Sequence, residues 1–307
     1  MRDAVVILGV FVADTTYRAD RAPVIGETIL GNSFALGPGG KGSNQAVAAA
    51  RAGAATHFLT KLGKDAFADM ALDIWKEAGV IPEVSQHADS YTGAAYIFVE
   101  EATGNNAIIV CSGVARTISA ADIDACGELI GGAAVFMTQL EQPMDAAMRG
   151  LEQARAGGAT TILNPAPAAD LPDGMLALCD YVTPNETEAE GITGVAVESV
   201  ADAQGAAKAL LARGVGAAII TLGENGVWFD DGSVAQHVPA LSAGPVVETT
   251  GAGDAFNGGF AAALAGGMDP LAAVRFGNAT AAISVTRPGT APSMPSRAEV
   301  EALLAKS

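Results

Sequence analysis

The chain has 307 residues, half of them hydrophobic and 17% charged, which supplies a sizeable buried core and excludes a mainly disordered chain. Asp and Glu number 34 against 17 Lys and Arg, and the net charge of -17 excludes a broad nucleic-acid surface or attachment to an anionic membrane, since both need clustered cations. A local phosphate site survives this exclusion, because backbone amides bind anions without side-chain charge.

In chain order, short apolar runs alternate with helical periodicity. Residues 5–10 predict a first buried strand; the run is too short to span a membrane and lacks a cleavage-site pattern. No other apolar run reaches about 18 residues without a charge or turn signal. Residues 11–36 break the pattern, with scattered polar residues and the turn signals Pro23, Gly26 and Gly31. A helix at 43–52, a strand at 56–60 and a helix at 66–78 follow. Residues 91–111 break the pattern again, with strands at 94–99 and 107–111 flanking the hairpin signal Thr103-Gly104-Asn105-Asn106. Beyond them the pattern predicts helices at 121–129, 144–156, 201–212, 254–265, 270–285 and 297–305. Strands are predicted at 133–138, 160–163, 180–183, 217–221 and 227–229. This alternation implies an α/β fold, a mostly parallel sheet covered by helices on both faces. The two irregular stretches predict a small second sheet lying over the first. Cys111, Cys126 and Cys179 are too sparse for a disulfide framework, and a soluble cytoplasmic protein is expected.

Three segments suit phosphate chemistry, and a fourth is a turn signal alone. Gly37-Pro38-Gly39-Gly40-Lys41-Gly42-Ser43-Asn44-Gln45 contains a literal G-x-G-x-x-G. It is not in the first strand–helix turn, and no acidic residue ends the next strand, which speaks against an NAD-dependent oxidoreductase. A P-loop fails as well, because Gly42 follows Lys41. What remains is a backbone open to close approach, with Lys41 and Asn44 at its mouth; the plain alternative is a helix cap by Ser43 or Asn44. In Thr249-Thr250-Gly251-Ala252-Gly253-Asp254, three small residues expose amides that suit an anion, and Asp254 starts a helix beside them. A carboxylate there suits a proton acceptor, or simply a cap. In Thr183-Pro184-Asn185-Glu186-Thr187-Glu188, Asn185 and Glu188 share a face and offer oxygen ligands to Mg²⁺, or form a solvated acidic first turn. Thr221-Leu222-Gly223-Glu224-Asn225-Gly226 predicts a hairpin. His57, His87 and His237 lack metal-ligand spacing, and Trp75 and Trp228 read as packing residues.

Residues 39–46 and 250–256 are similar, in order and about 210 residues apart, to the two signatures of the ribokinase-like (phosphofructokinase-B type) carbohydrate kinases. The resemblance runs from Leu8 to about Pro295. Asn164-Pro165-Ala166-Pro167 and the segment 183–188 are similar to the ribose-phosphorylating branch. The resemblance implies a ribokinase-like three-layer sandwich, a single domain over 1–307, with a β-sheet lid formed by about 11–36 and 91–111. It implies transfer of the γ-phosphoryl of ATP to a primary hydroxyl of a sugar, D-ribose to ribose 5-phosphate first. Asp254 would be the base, with the amides of Gly251, Ala252 and Gly253 as the anion hole. Asp14, Gly40, Lys41, Asn44 and Glu141, with Asp254, match the sugar-binding positions. Asn185 and Glu188 match the element that organises phosphates and Mg²⁺, Glu188 acting through water. Thr221, Gly223 and Gly226 match the nucleotide site, and Asn278 falls near the adenine. A K⁺ site is implied at Glu248, Thr250, Val285, Pro288, Gly289 and Ser293, although Glu248 stands where that branch has a shorter Asp. The implied partners are the sugar, ATP and a second copy of the chain through the lid, with no nucleic acid or membrane.

The main departure is Val12, where the ribose branch has Asn; Val offers no hydrogen bond, which leaves fructose, another ketose or a nucleoside as alternative substrates. Arg116 is a second departure and reads as a surface residue. A non-catalytic sugar or nucleotide sensor is opposed by the presence of Asp254 and the 251–253 turn.

Overall fold

The structure, a computed structural model, describes residues 3–306; Met1, Arg2 and Ser307, at the ends of the expected 1–307 domain, lie outside the described residues. The elements run β1 (Ala4–Leu8), β2 (Val12–Ala19), β3 (Ser33–Gly39), α1 (Lys41–Arg51), β4 (Ala55–Gly63), α2 (Ala66–Ala78), β5 (Ile81–His87), β6 (Thr92–Glu100) and β7 (Asn106–Gly113). They continue with α3 (Ala120–Ala125), α4 (Gly127–Gly131), β8 (Val135–Thr138), α5 (Met144–Gly157), β9 (Thr160–Leu163), β10 (Tyr181–Val182), α6 (Glu186–Thr193) and α7 (Val200–Ala212). The last are β11 (Ala217–Thr221), β12 (Val227–Asp230), β13 (Ala235–Val238), α8 (Ala252–Ala265), α9 (Pro270–Ser284) and α10 (Arg297–Leu304).

Among the described residues, the main sheet has the order β13-β12-β11-β10-β9-β8-β1-β4-β5. It is parallel except where β12 pairs with β11 and with β13. Its strands are covered on both faces, because alternate side chains feed opposite cores. Val5 and Ile7 enter the core with Phe58, Met137 and Ile219, whereas Val6 and Leu8 enter the other with Leu59, Phe136 and Ile220. The expected three-layer α/β architecture is what forms. Among the described residues no helix is long and apolar enough to cross a membrane.

A separate sheet, also among the described residues, has the order β3-β2-β6-β7. It draws on the two irregular stretches and extends past them to Gly39 and Gly113. Its base is tied to the main body through Asp65. One carboxylate oxygen caps α2 by accepting from the Ala68 amide at 2.9 Å, and the other accepts from the Thr92 amide at 2.8 Å.

Several elements differ from expectation. Strands β5 and β13 were not predicted: β5 is a sheet edge carrying Pro82, Glu83, Ser85 and Gln86, so its composition does not read as a strand. The helix predicted at 121–129 is two short ones, broken at Cys126. Helix α1 starts at Lys41, two residues early, straight from β3. It is buried along Gly42–Ala49 because it lies between β1 and α8. That proximity demands small residues. A Cβ on Gly42 would sit 2.7 Å from the Gly9 Cα, and one on Gly258 would sit 2.4 Å from the Ala48 Cβ.

Candidate active site

The parallel strands open their carboxyl ends at one edge of the sheet, where ligands bind in such folds. Gln139 follows β8, Asn164 follows β9, Thr183 follows β10 and Thr221 ends β11. Helix α8 begins against this edge. Gly251 is its N-cap, in the left-handed region at φ 82°, and supplies no side-chain cap. The amides of a first turn have no acceptor within their own helix. Of the three expected in an anion hole, that of Ala252 already donates to the Thr249 carbonyl at 3.1 Å, closing the turn before the helix. Gly253 faces open space, since a Cβ there would meet nothing within 4 Å.

Asp254 is the third residue of α8 and is 7% exposed. It does not cap its helix. Its carboxylate instead accepts from Asn44 Nδ2 and Gln45 Nε2 of α1, each at 3.0 Å. The capping alternatives for Ser43 and Asn44 also fail: Ser43 lies inside α1 and accepts from Trp75 Nε1 at 2.9 Å. Trp75 is fully buried against Phe11 and Phe58, the packing role expected of it. Arg116 is exposed, as expected.

Three further carboxylates surround Asp254. Asp14 of β2 is pushed up to about 6 by burial and then by the charge of Asp254. Glu141, after β8, is pushed up to about 7 by burial, opposed by the charge of Lys41 and by the Lys41 amide, which donates to it at 2.8 Å. Burial also raises Glu188 and Asp254. Lys41 is the cation that opposes the rise at Asp254, Glu141 and Glu188. Ionised carboxylates only accept hydrogen bonds, so this cluster suits a ligand rich in hydroxyl donors, and Lys41 suits a phosphate. Gly40, the N-cap of α1 at φ 88°, leaves no room for a side chain: a Cβ would lie 2.5 Å from the Val10 carbonyl.

A pocket of about 150 Å³ joins these groups to the expected nucleotide side, lined among others by Lys41, Asn185, Glu188, Thr221, Gly253 and Asp254. Asn185 and Glu188 form a reciprocal cap on α6: the Glu188 amide donates to Asn185 Oδ1 at 2.8 Å, and the Asn185 amide donates to Glu188 Oε2 at 2.9 Å. Glu188 is 8% exposed, whereas Asn185 and Thr187 of the same turn are exposed, so Glu188 alone turns away from solvent. Gly223 and Gly226 lie outside this pocket, in the β11–β12 turn, where a Cβ on Gly226 would be 2.2 Å from the Val238 carbonyl. Asn278 of α9 donates from Nδ2 to the Pro239 carbonyl at 2.7 Å, which joins α9 to the segment after β13.

The expected cation residues are partly assembled. The Val285 carbonyl accepts from the Val247 and Glu248 amides, and Glu248 Oε2 accepts from the Gly289 amide at 2.8 Å. The Ser293 hydroxyl donates to the Thr290 carbonyl at 2.7 Å, while Thr250 and Pro288 lie in exposed loop. The donor set is all oxygen, which fits a hard monovalent cation. Among the described residues no group of three or more His, Cys, Asp or Glu is arranged to hold a metal ion. Residues that sequence reading passed over as site residues are Gln45, Gln139 and Asn257. The signal for Gln45 is two successive amides in an otherwise alanine-rich buried helix.

The pfkB family carbohydrate kinase profile matches residues 3–297. A ribokinase of Staphylococcus aureus (strain COL) is 38% identical over 303 residues, covering 98% of this chain and 99% of that protein. A deoxyribokinase of Salmonella typhi is 35% identical over 294 residues, covering 95% of each. The solved structure of Arabidopsis thaliana ribokinase complexed with ribose and ATP superposes with a TM-score of 0.94 at 29% identity, over 99% of both chains. With that coverage, and with both glycine segments meeting at Asp254, the chain belongs to the pfkB family of carbohydrate kinases.

Proposed function

We infer that this sugar kinase transfers the γ-phosphoryl group of ATP to the primary hydroxyl of D-ribose, giving ribose 5-phosphate. The observation that carries the reading is Asp254: a buried carboxylate at a helix start, with open amide ground at Gly253 and Lys41 beside it. Asp14, Gly40, Asn44 and Glu141 bind the sugar, and the Asp254 carboxylate takes the proton of the attacking hydroxyl. The first-turn amides of Gly251 and Gly253 and the Lys41 ammonium stabilise charge on the group in transfer, while the Ala252 amide closes the turn; positioning and electrostatics supply most of the rate. Asn185, Thr221, Gly223, Gly226 and Asn278 hold the nucleotide. Mg²⁺ would sit at Glu188 through water and neutralise phosphate charge. K⁺ would sit among the Glu248, Thr250, Val285, Pro288, Gly289 and Ser293 oxygens and fix the loop that leads into Gly251.

The small sheet acts as a lid that closes over the sugar and excludes water, within one domain. Its Tyr17, Phe34 and Tyr96 rings pack together while 42%, 58% and 37% exposed, which supports a homodimer formed through this face. The free Cys111, Cys126 and Cys179 support a cytoplasmic setting.

A second reading rests on Val12. It is buried and shares a face of β2 with Asp14, so it presents an apolar wall beside the sugar carboxylate. A sugar lacking one hydroxyl, as in the related deoxyribokinase, would lose nothing there. An ADP-release assay over ribose, 2-deoxyribose, fructose and nucleosides decides. Preference for ribose is expected; preference for another member with ribose poor overturns that assignment in favour of a pocket rebuilt around Val12.

A further inference from the structure

The Asp254 carboxylate is held by a buried polar frame. Gln45 donates from Nε2 both to Asp254 Oδ1 and to Asn164 Oδ1, each at 3.0 Å. Gln139 donates from its own Nε2 to Gln45 Oε1. That contact occupies the carbonyl end of the Gln45 amide and so turns its amino end toward the carboxylate. Asn164 then donates to the Thr183 carbonyl at 3.0 Å, the Thr183 hydroxyl donates to Asn257 Oδ1 at 2.7 Å, and Asn257 Nδ2 donates to the Gly253 carbonyl at 2.8 Å. The frame leaves Asp254 and returns to its chain neighbour. It ties α1 and α8 to the ends of β8, β9 and β10.

Gln45 and Gln139 are fully buried, and burying an amide costs free energy unless its groups are bonded. Gln139 Oε1 has no hydrogen-bond partner. An apolar side chain of the same shape would remove that orphaned carbonyl but leave the buried Gln45 Oε1 without its donor, so what Gln139 specifically supplies is the orientation of the Gln45 amide.

We propose that Gln139 and Gln45 are a positioning relay for phosphoryl transfer: Gln139 sets the orientation of the Gln45 amide, and Gln45 holds the Asp254 carboxylate ionised and in one plane. The relay rests on the reading of Asp254 as the base. The other charged groups facing Asp254 are Lys41 on α1, Asp14 on β2, Glu141 after β8 and Glu188 on α6. Burial raises Asp254 most, and Lys41, Asn44 and Gln45 oppose that rise. Without the Gln45 donor, or with its amide reversed, the ionised form loses support, and proton uptake by the base shifts to higher pH.

The test is the pH dependence of kcat/KM in full-length Gln139→Met and Gln45→Met, read as a difference from the parent, because Asp14, Glu141 and Glu188 titrate in all three. Asp254→Asn is run alongside. The acidic limb of Gln139→Met is expected to move up by about one pH unit, with the sugar KM above the limb changed less than about twofold. Gln45→Met is expected to move the limb at least as far. A limb that stays with the parent in folded variants overturns the relay. Gln139→Met decides alone if Gln45→Met does not fold, because Gln139 reaches Asp254 only through Gln45. Turnover retained by Asp254→Asn overturns the base assignment and the relay together; turnover abolished there with both parental limbs intact overturns the relay only.

Discussion

At the level of single residues, the charge balance of the site sets its properties. Asp254→Asn keeps the shape and the Asn44 contact but removes the proposed proton acceptor, so kcat is expected to fall at least about 10²–10⁴-fold while nucleotide binding persists. Rapid-quench turnover with a parallel nucleotide titration checks both halves. Glu141 gives an effect of opposite sign. Its carboxyl, pushed up to about 7 by burial, binds a proton more tightly in the folded chain than in the unfolded one. Its contribution to stability is therefore full below the unfolded value and is lost as pH rises through about 7. Glu141→Gln still accepts from the Lys41 amide, so above about pH 8 it is expected to melt roughly 2–4 °C higher than the parent, with the gap closing below about pH 4. Thermal melts across pH measure this, and an unchanged or lower melting temperature at alkaline pH contradicts it. Asp254 was legible from its place after three small residues. Gln45 was not, because what it bonds to lies 209 residues away.

At the level of elements, α1 and α8 form one unit. They meet through Gly258 and Ala48, and every side chain that holds Asp254 from α1 depends on that close approach. Gly258→Ala places a Cβ within 2.5 Å of the Gln45 carbonyl and is expected to cost about 1–3 kcal/mol in stability together with a loss of kcat. Gly205→Ala in α7 supplies the contrast, since its Cβ would meet Val195 at an ordinary 3.7 Å. It is expected to gain about 0.5–1 kcal/mol with turnover unchanged. Urea unfolding and steady-state rates separate the two. Apolar runs with flanking glycines exposed the central strands to sequence reading. They did not expose β5 and β13, whose polar composition follows from their place near the sheet edges. The break at Cys126 was hidden too, because α3 and α4 together keep a helical period.

For the molecule as a whole, alternation of strand and helix made the layered architecture legible, whereas the proposed pairing of the small sheet with a second copy is a matter of surface shape that no local pattern records. The ring cluster of Tyr17, Phe34 and Tyr96 makes a direct prediction. Phe34→Asp is expected to halve the sedimenting mass of the parent while leaving the main sheet folded; an unchanged mass overturns the proposed dimer through this face. The bond from Asn44 to Asp254 spans 210 residues. A link of that separation closes late, because the entropy of the intervening chain must be lost before the contact is gained. Recovery of turnover during refolding therefore times the arrival of the carboxyl-terminal helices on the amino-terminal half, and a fragment ending before α8 has half a site however well its strands have paired.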